Sequence, residues 1–150
     1  MANIRSDEDR RNALAALVHA DVGALRDGLG AIGAPAGVRT LRGPETGLVM
    51  VEGRTGGGGA PFNLGEASMT RCVVALACGT VGFGHVLGRD GEKARLIATL
   101  DALGETEQHA AAVAALVARL AAEQAEAARQ SAADTAATRV EFFTMAREND

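Results

Sequence analysis

The sequence contains no tryptophan, no tyrosine and only four phenylalanines. Rings of this kind build the stacking platforms on which proteins hold single-stranded nucleic acid. The charge balance lacks the complementary basic footprint, with 15 Lys plus Arg against 19 Asp plus Glu and a net charge of −4. No apolar run is long enough to cross a bilayer: the longest, Cys72 to Phe83, is about a dozen residues interrupted by two glycines, against the ~20 a spanning helix needs. The opening Met-Ala-Asn-Ile-Arg-Ser-Asp-Glu-Asp is acidic and lacks the basic-then-apolar order of a signal peptide. These features predict a cytoplasmic chain that binds neither nucleic acid nor membrane. Cysteine is equally sparse. On a strand over 66–78, Cys72 and Cys78 share a face but stand about 20 Å apart at ~3.3 Å per residue, too far to bridge, so two free, buried thiols are expected.

What is present fits one folded domain. A chain of 150 residues can bury ~70% of its unfolded surface, and 47% apolar residues exclude a wholly disordered chain. Ser6 with Asp9 three residues on, followed by Leu14, Leu17 and Val18, predicts a first helix; Asp21 is placed to cap a second, which Gly33 and Pro35 stop. Residues 1–35 thus read as a helical pair. Between 36 and 88 the period changes. Four strands are predicted, Val38–Gly43, Leu48–Gly53, Glu66–Cys78 and Val81–Leu87, with turns at 43–47 and 78–80 and a long connection over 55–63. Short turns between successive strands favour an antiparallel meander. Neither face of the predicted strands two and three is cleanly polar, which points to cover on both sides: the chain's own helices on one, another subunit on the other. Residues 89–150 read as helical, first over Ala94–Leu103 closed by Gly104, then along an Ala-rich run. An unbroken helix from 106 to 134 would measure ~43 Å, longer than the ~38 Å globule this chain makes, so it must break or reach beyond its domain. Val140–Met145 carries two of the four phenylalanines and is expected to dock. The fold class is therefore α+β: an N-terminal helical pair, a four-stranded antiparallel sheet, and C-terminal helices including a long Ala-rich one.

Chemistry-bearing residues are few. His19, His85 and His109 fall in three different elements with no metal-ligand spacing around them, and no Gly-x-Ser-x-Gly or Cys/His signature occurs. Four consecutive glycines, Gly56 to Gly59, follow Arg54; such backbone can cradle an anion, or it can be a flexible or closely packed loop. In a four-stranded meander, one edge gathers Arg54, Gly57, Gly58, Asn63, Glu66, Arg89 and Asp90. Two arginines beside open backbone suit a polyanion; equally, Arg89 and Asp90 can form a turn and cap, and Arg54 can pair with a carboxylate. Arg71, in the middle of an apolar strand, needs a partner from a helix or a neighbouring chain, or marks an anion site. Arg71 and Glu66 are the candidates for a buried ion pair or an interface.

The run Leu41-Arg42-Gly43-Pro44-Glu45-Thr46-Gly47-Leu48-Val49-Met50-Val51, then Gly53-Arg54 with Gly56 through Glu66, resembles the PhnG family of the carbon–phosphorus lyase system. Thr70-Arg71, Leu87-Gly88-Arg89-Asp90, Asp101-Ala102 and Phe142-Phe143-Thr144-Met145 are similar to the same family. The resemblance implies a subunit that acts with PhnH, PhnI and PhnL to make α-D-ribose 1-methylphosphonate 5-triphosphate from ATP and methylphosphonate, displacing adenine. It implies a core complex with PhnH, PhnI and PhnJ that PhnK joins. ATP enters as substrate of that complex, and no cofactor of the subunit's own is implied. The family has no firmly assigned catalytic residue, so the subunit is expected to contribute packing rather than reacting groups. A nucleotide or phosphonate site at the Arg54–Arg89 edge is the alternative, and a homodimer of the isolated chain a third reading.

Overall fold

The computed structural model describes residues 5–33 and 37–138. Helix α1, Asp7–His19, starts where the Ser6 hydroxyl accepts the Asp9 N–H at 3.1 Å, with Asp7, Glu8 and Asp9 in the first turn, where the helix dipole favours negative charge. Asp21 accepts the Gly23 N–H at 2.7 Å and opens α2, Val22–Ile32. Three strands follow: β1, Arg39–Arg54; β2, Pro61–Ala75; and β3, Val81–Leu87. Asp90 caps α3, Gly91–Gly104, by accepting the Lys93 N–H at 2.9 Å. Helix α4, Ala110–Ala137, completes the described chain.

The α+β class holds, but the sheet has three strands in the order β1-β2-β3, all antiparallel, and not four. The predicted strands Val38–Gly43 and Leu48–Gly53 are one continuous strand, and the Gly-Pro sequence between them is a bulge rather than a turn. Arg42 faces Val73 and Glu45 faces Arg71, so β1 takes three steps where β2 takes two. Gly43 absorbs the extra residue at φ +73°, where a Cβ would stand 2.5 Å from the Arg71 carbonyl oxygen. The Gly43–Pro44 peptide is cis. Proline is tolerated here because β1 is an outer strand and the position is bulged.

Strand β2 also ends earlier than its composition suggests. Leu76 donates to Thr80 O and Gly79 to Leu76 O, both at 2.9 Å, closing a turn with Gly79 at φ +87°. Cys78 therefore lies exposed in that turn while Cys72 stays buried, which corrects the expectation of two buried thiols.

Helix α3 covers one face of the sheet. Thr70, Cys72 and Val74 of β2 are buried there, as are Gly82, Gly84 and Val86 of β3. Glycine is required at two of these places: a Cβ on Gly82 would stand 2.0 Å from Ala98 O, and one on Gly84 1.9 Å from Ala94 O. Leu17, Leu25, Ile97, Leu100, Leu103 and Val113 fill the core between α3 and the other helices. Helix α4 is unbroken and reaches beyond the body. Val113, Leu116 and Leu120 are its buried residues, and Gln124 donates to Ala16 O at 2.8 Å. From Ala125 to Ala137 every residue is exposed, a projection of ~20 Å at 1.5 Å per residue. The Val140–Met145 segment expected to dock lies outside the described residues.

Candidate functional site

Strand β3 is half the length of its neighbours and pairs only with Met69–Ala75 of β2. Past that point, residues 48–54 and 61–68 continue as a two-stranded ribbon, ~23–26 Å long at ~3.3 Å per residue. Its root is fixed by side chains. The Thr70 hydroxyl donates to Gly88 O at 2.8 Å. Its one proton is thus used, and the 2.9 Å contact with Thr46 Oγ1 must be donated by Thr46. The Gly88 N–H donates to Ser68 O at 2.7 Å.

Both faces of the ribbon carry apolar side chains. On the α3 side, Leu48 and Met50 stand opposite Ser68 and Glu66, beyond the cover of the helix, at 63% and 57% exposure. On the other side, Val49 and Val51 stand opposite Ala67 and Gly65. That face continues into the sheet surface away from α3, where Phe83, His85 and Leu87 are exposed. A further bulge, between Val51 and Glu52, leaves Leu64 as the extra residue, at 66% exposure.

The predicted edge residues are not brought together. Arg54, Gly57, Gly58 and Asn63 lie at the ribbon tip, while Arg89 follows β3 at the level of Ser68, near the root. Seven residues of β2 separate those levels, or ~23 Å, so the two guanidinium groups cannot converge on one phosphate. The shared edge required four strands of similar length. At the tip, Thr55–Gly57 form a single 3-10 turn with Gly56 and Gly57 at positive φ. The Gly58 and Gly59 N–H groups both donate to Thr55 O, and Arg54 Nη1 donates to Gly59 O at 3.2 Å. A Cβ on Gly59 would stand 2.7 Å from Thr55 O, so three of the four glycines serve the turn itself. Asp90 is the α3 cap.

Arg71 is half exposed and its partner is Glu45, on the neighbouring strand, at 2.6 Å. Glu45 also accepts from Arg42 Nε at 2.6 Å. These two hydrogen bonds hold the Glu45 carboxyl below its ordinary pKa. Glu66 projects from the opposite face of the sheet, so no Arg71–Glu66 pair forms. The face away from α3 thus holds two arginines on one glutamate, with Arg39 further along it opposite Ala75, in a chain whose net charge is −4.

The most buried charge was not singled out in the sequence. Asp101, in the apolar second half of α3, is fully buried and accepts from Arg5 Nη2 at 3.0 Å, Arg10 Nε at 3.0 Å and Arg10 Nη2 at 2.6 Å. It also accepts the Phe83 N–H at 2.9 Å. Glu105 adds a 2.7 Å bond to Arg5. The Asp101 hydrogen bond raises the Arg10 pKa further above its ordinary value, and the Arg10 guanidinium lies 5.4 Å from the centre of the Phe83 ring. This cluster ties α1 to α3 and occupies backbone groups on the outer edge of β3, blunting it as a pairing surface. The available signal was a lone aspartate in the apolar second half of α3, with two arginines around the start of α1. Among the described residues, no group of three or more His, Cys, Asp or Glu is placed to hold a metal, and no helix is long and apolar enough to cross a membrane.

Two comparisons bear on what such a ribbon-bearing chain is. The family model described as phosphonate metabolism protein PhnG matches residues 8–148. A curated relative from Rhizobium meliloti (strain 1021), alpha-D-ribose 1-methylphosphonate 5-triphosphate synthase subunit PhnG, is 49% identical over 141 residues, covering 94% of this chain and 90% of that protein. Because both matches run through helices, ribbon and sheet together and do not stop at one motif, the chain belongs to the PhnG family.

Proposed function

We propose that this chain is the PhnG-type subunit of a cytoplasmic complex that makes α-D-ribose 1-methylphosphonate 5-triphosphate, in the carbon–phosphorus lyase route of phosphonate use. The carrying observation is the 49% identity, across nearly the whole of both chains, to a subunit bearing that name. Its partners are then PhnH-, PhnI- and PhnL-like proteins for the synthase step, and PhnJ- and PhnK-like proteins in the wider assembly. ATP and methylphosphonate are substrates of the complex. A phosphonate oxygen attacks the anomeric carbon of ATP, the bond from that carbon to the adenine nitrogen breaks, and adenine leaves. The contribution of this chain is assembly. Its best-placed carboxylates are engaged internally, Asp101 and Glu105 by Arg5 and Arg10 and Glu45 by Arg42 and Arg71.

Reconstitution of the synthase subunits with and without this chain tests the reading, with adenine release from ATP and methylphosphonate as the assay. Release should collapse when the chain is omitted; full release without it would refute the proposal. The alternative of a nucleotide or phosphonate site on the chain itself requires saturable ATP binding to the isolated protein that Arg54→Ala abolishes. The ribbon length between Arg54 and Arg89 argues against one site shared by both.

A further inference from the structure

We infer that the β1–β2 ribbon inserts into a cleft of another subunit of the synthase, with apolar walls on both sides and an acidic rim where the ribbon meets the body. The inference rests on the synthase-subunit reading and specifies the surface that reading leaves open.

Stability comes first. A lone two-stranded ribbon is marginal in water, because it lacks a third strand or a packed layer to bury its side chains. Here β3 stops opposite Met69, and α3 does not cover Leu48 or Met50, which are 63% and 57% exposed. Each face carries its own exposed apolar pair, Leu48 and Met50 on the α3 side and, against Gly53 on the other, Phe62 and Leu64 at 45% and 66% exposure; clustered apolar exposure of this kind marks interaction sites on soluble chains.

The two-sidedness selects the shape of the partner. Val49 and Val51 point away from the α3 side while Leu48 and Met50 point toward it. A second copy stacked on the open sheet face would cover one set and leave the other in water, whereas a cleft covers both. The outer edge of β1 adds to this. From Thr46 to Val51 it carries neither charge nor proline, the devices by which natural edge strands resist unwanted pairing.

Charge selects the rim. Arg42 and Arg71 flank Glu45 near the ribbon's base on the face away from α3. This is a basic zone on an acidic chain, complementary to carboxylates. Size is sufficient as well. Residues 48–68, two strands and the tip that joins them, supply 21 positions, at the lower end of the ~20–30 residues a side of a stable interface.

The test uses the full chain with the other synthase subunits, measuring assembly by native mass spectrometry and titration. Leu48→Asp with Met50→Asp charges the α3 side, Val51→Asp charges the other, and Asp27→Asn on α2 is the control. Each ribbon variant should weaken assembly at least ~100-fold, while the control matches wild type. Hydrogen exchange on the wild-type chain supplies a readout that no folding defect can mimic: amides of 48–54 should exchange quickly in isolation and slowly in the complex. If wild type joins no other subunit, the synthase-subunit reading itself falls. If wild type assembles and both ribbon variants assemble equally well, only the cleft inference falls. Loss from one face alone would overturn the two-sided clasp. Ribbon variants that abolish self-association but leave assembly intact would make a second copy the occupant, which also overturns it.

Discussion

Removing the Asp101 carboxylate tests whether the Arg5–Arg10–Asp101–Glu105 cluster holds the body together. Asp101→Ala deletes four accepted hydrogen bonds, three from guanidinium groups and one from the Phe83 N–H. The two arginines are left at 14% and 18% side-chain exposure, and Glu105 lies 4.0 Å from Arg10 Nε, too long for a strong bond. Breaking a buried pair by removing one partner costs ~3–5 kcal/mol, because the surviving charge stays desolvated. Long arginines at a rim can swing toward water, so the lower end applies to the ions; the stranded Phe83 N–H adds ~1–3 kcal/mol. A total near ~4 kcal/mol is expected, which lowers the melting temperature by ~8–16 °C in a domain of this size. Asp101→Asn should cost nearly as much, since its amide would present a donor to the Phe83 N–H or to the guanidinium groups. With no Trp or Tyr, urea unfolding must be followed by far-UV circular dichroism. A double-mutant cycle with Arg10→Ala isolates the pair and should return a coupling above ~1 kcal/mol. A loss below ~1 kcal/mol for Asp101→Ala, with no coupling to Arg10, would refute the reasoning.

Gly84→Ala should destabilise by ~3 kcal/mol or more in the same assay, since its Cβ would stand 1.9 Å from Ala94 O and force α3 off the sheet; Gly58→Ala, at φ −120° with open space around it, should be neutral. Cys78, exposed and with its pKa lowered by the Thr80 hydroxyl, should react with a thiol reagent at once. Cys72, buried and with its pKa raised by burial, should react only on unfolding, and Thr80→Val should slow the Cys78 reaction. Glu45 titrates below its unfolded value of 4.5 because Arg71 and Arg42 bond its carboxylate. Its contribution is therefore fully present above pH 4.5 and is lost as pH falls through the lower folded value. An NMR pH titration should show the midpoint rising toward 4.5 in Arg71→Ala.

Local signals in the sequence were legible where a few neighbouring residues decide the outcome. Ser6, Asp21 and Asp90 mark helix starts by chemistry completed within three residues, and all three cap. The Ala-rich run contains no breaker; length arithmetic required it to break or to reach beyond its domain, and α4 does the second. The strand count was not legible, because Gly43-Pro44 signals a turn and a bulge alike. What separates the two is the pairing of Glu45 with Arg71, 26 residues apart. The same step hid the partner of Arg71. Once Glu45 was assigned to a turn, Glu66, a helix or another chain was left to supply the carboxylate. The Arg54–Arg89 edge depended on strand lengths, which long-range packing sets: β3 ends where Gly88 and Asp90 turn the chain into α3.

The molecule divides into a tightly fixed body and elements that leave it. Glycines at 82 and 84 bring α3 against β3, the Asp101 cluster adds α1, and the buried Thr70 hydroxyl holds the ribbon root through Gly88 and Thr46. The ribbon therefore leaves the body in one fixed direction although its outer half has no cover. This matters for association, since ordering a flexible arm on binding costs ~0.5–1.5 kcal/mol per immobilised side chain, and a preset direction removes part of that cost. Helix α4 follows the same logic by other means. Alanine holds it helical for a further ~20 Å without offering the broad apolar area that would fold it back onto its own core. Interior hydrogen bonds and close backbone contacts are concentrated at the roots, while exposed apolar side chains are concentrated on the ribbon. An isolated globule gains nothing from that distribution; a subunit that must meet its neighbours in one orientation does.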